Sequence, residues 1–227
     1  MEKTILSLYP VEMTLDSLLS ALHLDMQHGL IDDIIEVYQS ALEVAKPVAV
    51  FAPFPIDDRD GAIWLNGVKL DEPFVHIMLS GSSVVVPYVA SCGKEIDAWS
   101  KAYDGDCFEQ FVADTIKQLC LEVVCKRLFG EVREKHFSTG FISTINPGSI
   151  CEWPTSSQPL LFDIIGNVTD DIGVVLSDSC LMIPSKSWSG IMFRTDQEFH
   201  NCQLCPKLDC PNRKAPYGGS VSRGRFS

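Results

Sequence analysis

The stretch that opens at Asp106 constrains the rest of the chain more than any other. Phe108, Phe111, Val112, Ile116, Leu119, Val123 and Val124 recur at three- and four-residue spacing, which is the period of one helix face. Asp106 stands three residues before Glu109, the spacing of a capping box. A long helix with an apolar stripe of this length must lie on a broad apolar surface, and β-branched runs on both sides of it in sequence can supply one. Alternating or continuous apolar runs at 48–54 and 84–90 predict strands, with a further strand at 76–79. The segments 63–65 and 68–70 flank Asn66-Gly67, the dipeptide that two-residue hairpin turns prefer. Helical periodicity predicts two helices over 14–23 and 30–46, the second stopped by Pro47. A short helix is expected after Cys92-Gly93. The second half predicts a strand at 137–145, a loop at 146–157, a short helix at 160–165, and strands around 174–183 and 188–193. This order describes an α+β fold, a mainly antiparallel twisted sheet with flanking helices.

At 227 residues with 46% hydrophobic content, the chain can bury a sizeable core. It has no apolar run of about 18 residues, the length a membrane-spanning helix requires, and no charged start leading into a short apolar segment. A soluble, cytoplasmic protein is the expectation, with no membrane partner. The formal net charge of −12 repels nucleic acid and favours a basic partner surface. Nine cysteines, an odd number, cannot all pair within the chain, so free or metal-bound thiols are expected.

Three of those thiols, Cys202, Cys205 and Cys210, fall within nine residues, and a proline follows two of them directly. Thiolates bind soft cations, a CxxC pair can place two sulfurs on one ion, and a proline after a ligand holds the loop open. The spacing is that of a metal or iron–sulfur ligand set, although it does not single out one cluster type. Cys92, Cys107, Cys120 and Cys125 fall on or beside apolar stripes and read as packed thiols. The five histidines form no HExxH pair, and no Ser/His/Asp spacing supports a hydrolase. The Leu79-Ser-Gly-Ser-Ser run lacks the second glycine and the lysine of a phosphate loop. Glu152-Trp153-Pro154 reads chiefly as a loop anchored by a buried tryptophan.

Three further stretches carry a family resemblance. They are Ala90-Ser-Cys-Gly-Lys-Glu-Ile-Asp97, Asn146-Pro-Gly-Ser149, and Ser177-Asp-Ser-Cys-Leu-Met-Ile-Pro184 with Ser187-Trp-Ser-Gly190. Together they resemble the activation domain of cobalamin-dependent methionine synthase over most of residues 1–195, and the C-terminal cysteine segment is similar to that of small stand-alone relatives. The resemblance implies that the chain is an accessory component of a methionine synthase system, or of a related corrinoid methyltransferase. In that family the domain binds S-adenosylmethionine beside the cobalamin domain, so that cob(II)alamin can be reduced by one electron and remethylated. Carried over to this chain, Asn146, Pro147, Gly148 and Ser149 would line the S-adenosylmethionine pocket. Pro147 and Gly148 match the family loop, while Thr144 and Ser149 stand where the family has arginine and tyrosine. The cobalamin would be carried by a partner corrinoid protein, and a flavodoxin or ferredoxin would supply the electron.

At Cys180 the family usually has an aromatic residue, and a thiol there offers Cys202, Cys205 and Cys210 a fourth partner. A 4Fe-4S cluster on these four is one expectation and a structural zinc the alternative, with Cys151 or His200 as substitute ligands. If iron–sulfur, the cluster itself could pass the electron to cob(II)alamin. If zinc, the chain could instead be a non-catalytic binding module. The expected organisation is an activation-like domain over 1–200, a cysteine-rich segment over 201–217, and a disordered tail over 218–227.

Overall fold

The computed structural model describes residues 2–210 and 213–219. In chain order the elements are β1 (Thr4–Ser7), α1 (Leu15–Leu22), α2 (Ile31–Val44), β2 (Val48–Phe51), β3 (Phe54–Pro55), β4 (Asp57–Arg59), β5 (Ala62–Leu65), β6 (Val68–Leu70) and α3 (Pro73–Leu79). They continue with β7 (Val84–Ser91), α4 (Lys94–Ser100), α5 (Cys107–His136), β8 (Phe141–Ile145), α6 (Gln158–Ile165), α7 (Val168–Ile172), β9 (Val175–Leu176), β10 (Met182–Ile183) and β11 (Ser187–Thr195). The main sheet runs β1-β2-β7-β11-β8, with β3 also paired to β7, and every pairing is antiparallel. The expected α+β fold, with its antiparallel sheet and flanking helices, is the fold observed.

Strand β7 is central, and its side chains alternate between two cores. Val86, Tyr88 and Ala90 face a core shared with α1, α2, α4 and α5. Val85 and Val89 face a second core, built with β5, β6, α3, α6 and α7. Because both faces are covered, the strand reads in sequence as one apolar run rather than an alternation. Pro87 interrupts it without breaking it. In an antiparallel ladder the N–H and C=O of one residue point to the same neighbour. The Pro87 carbonyl accepts from Ala52 N–H at 3.2 Å, so the one bond forgone is the reciprocal one to the Ala52 carbonyl, and it falls at the break between β2 and β3.

Helix α5 lies across the first face as its stripe requires. Asp106 accepts hydrogen bonds from the N–H groups of Phe108 and Glu109 at 2.8 and 2.9 Å, and Arg133, Lys135 and His136 occupy the last turn, where cations suit the helix dipole. The buried positions are Val112, Ala113, Ile116, Cys120, Leu121, Val124, Cys125, Leu128 and Val132. Phe111, which periodicity placed in the stripe, is 56% exposed.

Several expectations need correction. Residues 76–79 are not a strand but the end of α3: Pro73 sits in its first turn, where a missing N–H costs nothing, and Phe74, Val75, Met78 and Leu79 are buried at helical spacing. The run at 174–183 forms only the two-residue strands β9 and β10, paired across a turn. The expected strand at 137–145 starts at Phe141, because α5 continues to His136. The predicted hairpin is β5–β6, with Asn66 and Gly67 both at positive φ, and a second such turn at Asp60-Gly61 adds β4 as a third strand. Strands β1 and β4 and helix α7 lay below what periodicity can detect, because they are three to five residues long. Beyond Gly219 the expected disordered tail lies outside the described residues.

Truncating Ile116 to Ala should cost about 2–5 kcal/mol in urea unfolding, whereas Phe111→Ala should stay within about 0.5 kcal/mol of wild type. Equal losses at the two positions would show that the stripe has been placed on the wrong face.

Candidate functional site

The loop after β8 closes on itself through backbone bonds. Gly148 N–H donates to Trp153 O at 2.7 Å, Ser149 N–H to Asn146 O at 3.1 Å, and Trp153 N–H to Ile150 O at 3.4 Å. Gly148 has φ +84°, and a Cβ there would meet Thr155 Oγ1 at 2.4 Å, so glycine is required twice over. Trp153 anchors the loop with its ring fully buried.

Asn146 is the side chain on which the site is built. Its amide donates to Tyr88 Oη at 2.9 Å and to the Ser189 carbonyl at 2.6 Å. Its oxygen accepts from Asn201 Nδ2 at 2.7 Å and Thr144 Oγ1 at 3.2 Å. An asparagine has two donor hydrogens and one oxygen with two lone pairs, so this amide is saturated. It ties β8, β7, β11 and the C-terminal segment at one point. The approach depends on Gly190, where a Cβ would lie 2.4 Å from Asn146 Nδ2 and 2.5 Å from Ile145 O. Nearby, Ser189 Oγ donates to the buried Gln158 at 2.8 Å, and burial pushes the Tyr88 hydroxyl well above its ordinary range.

Around this hub lies a cleft of about 550 Å³. It is lined by Thr144 of β8 and Asn146, Pro147 and Ser149 after it, by Ser187, Trp188 and Ser189 of β11, and by Tyr88 and Phe129. Further lining comes from the C-terminal segment, through Glu198, Phe199, His200, Asn201, Cys202 and Lys214. Of the four expected pocket residues, Asn146, Pro147 and Ser149 line the cleft, whereas Gly148 shapes the loop behind it. Asn146 is committed to holding strands together and has no hydrogen-bonding capacity left for a ligand. Charge in the cleft comes from Lys214, for which no ion pair is formed among the described residues, and from Glu198, 3.3 Å from His200 Nε2. Periodicity gave no sign of these three, because their segment has no regular pattern.

The C-terminal segment is packed into the molecule. Phe199 and Leu204 are buried in the second core. Arg213 organises the cysteine loop: Nη1 donates to the carbonyls of Cys202 (2.7 Å) and Ala215 (3.0 Å), and Nη2 to those of Cys205 (2.8 Å) and Lys207 (2.6 Å). Cys180 sits elsewhere, in the β9–β10 turn, where its N–H donates to Ser177 O at 2.9 Å. Among the described residues no group of three or more His, Cys, Asp or Glu side chains comes together in a way that could hold a metal ion. The expected set of Cys180, Cys202, Cys205 and Cys210 is therefore not gathered into an iron–sulfur or zinc site, and neither Cys151 nor His200 completes one. The backbone of the loop is held by its carbonyl contacts to Arg213. Among the described residues no helix is long and apolar enough to cross a membrane.

No family model matches the sequence, and no curated protein does. Among solved structures the chain is similar to the MetH reactivation domain bound to AdoHcy, with 14% identity and a TM-score of 0.61, over 88% of this chain and 81% of that one. At this identity the likeness shows the fold: an antiparallel sheet with flanking helices, as in that reactivation domain.

Asn146→Ala leaves partly buried donors and acceptors without partners and should cost about 1–3 kcal/mol in chemical denaturation. Gly190→Ala should lose at least as much through the steric clash. An Asn146→Ala protein as stable as wild type would show that the hub does not hold these strands together.

Proposed function

We propose that this chain reactivates a corrinoid cofactor carried by a separate methionine synthase or related corrinoid methyltransferase, and that its cleft takes S-adenosylmethionine. The observation that carries this reading is the likeness of fold to an AdoHcy-bound reactivation domain over nearly the whole chain, taken with the expected loop at Asn146, Pro147 and Ser149 lining a cleft. In this reading Trp188 and Phe129 offer apolar faces to the adenine. Lys214 supplies the positive charge for the ligand carboxylate, which Thr144 cannot provide, and Glu198 faces the amino group.

The corrinoid is the substrate, presented by its partner protein. One electron from a flavodoxin or ferredoxin takes cob(II)alamin to cob(I)alamin. The cobalt electron pair then forms the bond to the methyl carbon, and the sulfur–methyl bond breaks with its pair left on sulfur, giving S-adenosylhomocysteine. The chain contributes by holding the methyl donor in place, since a fixed near-attack geometry lowers the barrier to transfer.

Isothermal titration calorimetry with S-adenosylmethionine and S-adenosylhomocysteine tests the binding step. Saturable binding is expected, with Lys214→Ala weaker by at least about tenfold, since a hydrogen bond to a charged group contributes about 1.5–3 kcal/mol and about 1.4 kcal/mol is tenfold. Absence of saturable binding by either ligand would sink the reading. If binding is found, methylcobalamin formation on a corrinoid partner, followed by its absorbance under a chemical reductant, checks the second half.

A further inference from the structure

Cys202 and Cys205 share one tight turn. Residues Asn201–Gln203 form a 3₁₀ turn, and the N–H groups of Leu204 and Cys205 both donate to the Asn201 carbonyl, at 3.0 and 3.1 Å. Residues three apart in a helical turn are side-chain neighbours, with Cβ atoms about 5–6 Å apart. A disulfide needs about 3.5–4.5 Å, so closing the bond would draw the two residues together by about 1–2 Å and tighten the turn.

Neither thiol is needed to hold the loop, because Arg213 fixes its backbone through the carbonyls of both cysteines and two further residues. Among the described residues Cys202 Sγ accepts only the Lys214 N–H, at 3.4 Å, and Cys205 Sγ has no hydrogen-bond partner. Both are half-buried and so reachable. They differ in this from Cys92, Cys120 and Cys125, which are enclosed in the first core and whose thiols burial pushes up to about 12. Cys202 also lines the cleft, so its position bears on whatever the cleft holds.

We propose that Cys202 and Cys205 form a redox-active dithiol, and that its oxidation to an intramolecular disulfide reshapes the C-terminal wall of the cleft. The oxidant is a low-molecular-weight disulfide of the glutathione class. The sulfur of one cysteine attacks the oxidant, breaking its S–S bond, forming a mixed disulfide and releasing one small thiol. The second cysteine then attacks the bonded protein sulfur and displaces the other small thiol. Two protein thiols give up two electrons and two protons, and one small disulfide becomes two thiols. Closing the bond draws Cys202 Sγ away from Lys214 N–H, loosening the contact between the cysteine turn and the residue that brings positive charge to the cleft.

The inference does not depend on what the cleft binds, and its test uses neither corrinoid nor S-adenosylmethionine. The full chain, purified under reducing conditions, is equilibrated in glutathione buffers of graded potential, quenched in acid, alkylated and mapped by mass spectrometry. One disulfide linking Cys202 to Cys205 is expected, with Cys210 and Cys180 alkylated in every sample. Acrylamide quenching of Trp188, which is 43% exposed at the cleft, should change on oxidation in wild type. It should not change in Cys205→Ser, and a Trp188→Phe protein assigns the signal. No disulfide in any glutathione buffer, or one that joins Cys210 or Cys180, would overturn the proposal. So would stoichiometric zinc or iron in the purified chain that is lost on Cys202→Ser. The mapping is made on wild type, so it remains decisive even if a variant fails to fold.

Discussion

Strand β7 is the element on which the rest of the structure depends, because it is the one strand that hydrogen-bonds β2, β3 and β11 while filling both cores. Its alternating side chains face α5 on one side and α3, α6 and the β4–β6 meander on the other. Each fully buried Val, Leu or Ile is worth about 1.5–3 kcal/mol relative to exposure, so a strand buried on both faces contributes through every residue. Pro87 survives at the centre of the sheet because it forgoes a single bond, to the Ala52 carbonyl, at the break between β2 and β3.

The cleft is a product of edges. Strand β8 is the last in the sheet, and Asn146 at its end bonds inward to Tyr88 and Ser189 and outward to Asn201. The saturated amide holds these strand ends and the C-terminal segment together, and the groups around it line the cleft. Gly190 and Gly148 have complementary roles: the first lets the amide reach the sheet, and the second lets the loop fold back under Thr155. The C-terminal segment then closes the cleft, with Phe199 and Leu204 as apolar anchors and Lys214 and Glu198 as its charges.

Arg213 changes how the cysteine motif is understood. Sequence spacing alone suggests that thiols gather round an ion and that the ion folds the loop. A planar guanidinium with donors in a fixed fork gathers four carbonyls of this loop, and among the described residues Cys202 and Cys205 have one hydrogen-bond contact to sulfur between them.

Read alone, the sequence determined the element types wherever a period or a turn chemistry was long enough to speak. It gave α5 with its cap at Asp106, α1 and α2, the Asn66-Gly67 hairpin, the buried strand at 84–90, and the α+β class that follows from their order. It also located the Asn146–Ser149 loop. It missed β1 and β4 because such short strands show no alternation, although Asp60-Gly61 carried a turn signal that could have revealed β4. It misassigned α3 because a run as short as His76 to Leu79 suits either period, and the deciding residue, Pro73, lies outside that run. The tertiary structure alone decided the cleft, whose walls come from Tyr88, Phe129, Asn146, Trp188 and Lys214, and the role of Arg213. Proximity in sequence shows which groups can meet, but only the folded chain, by satisfying donors and acceptors and filling space, fixes which of them do.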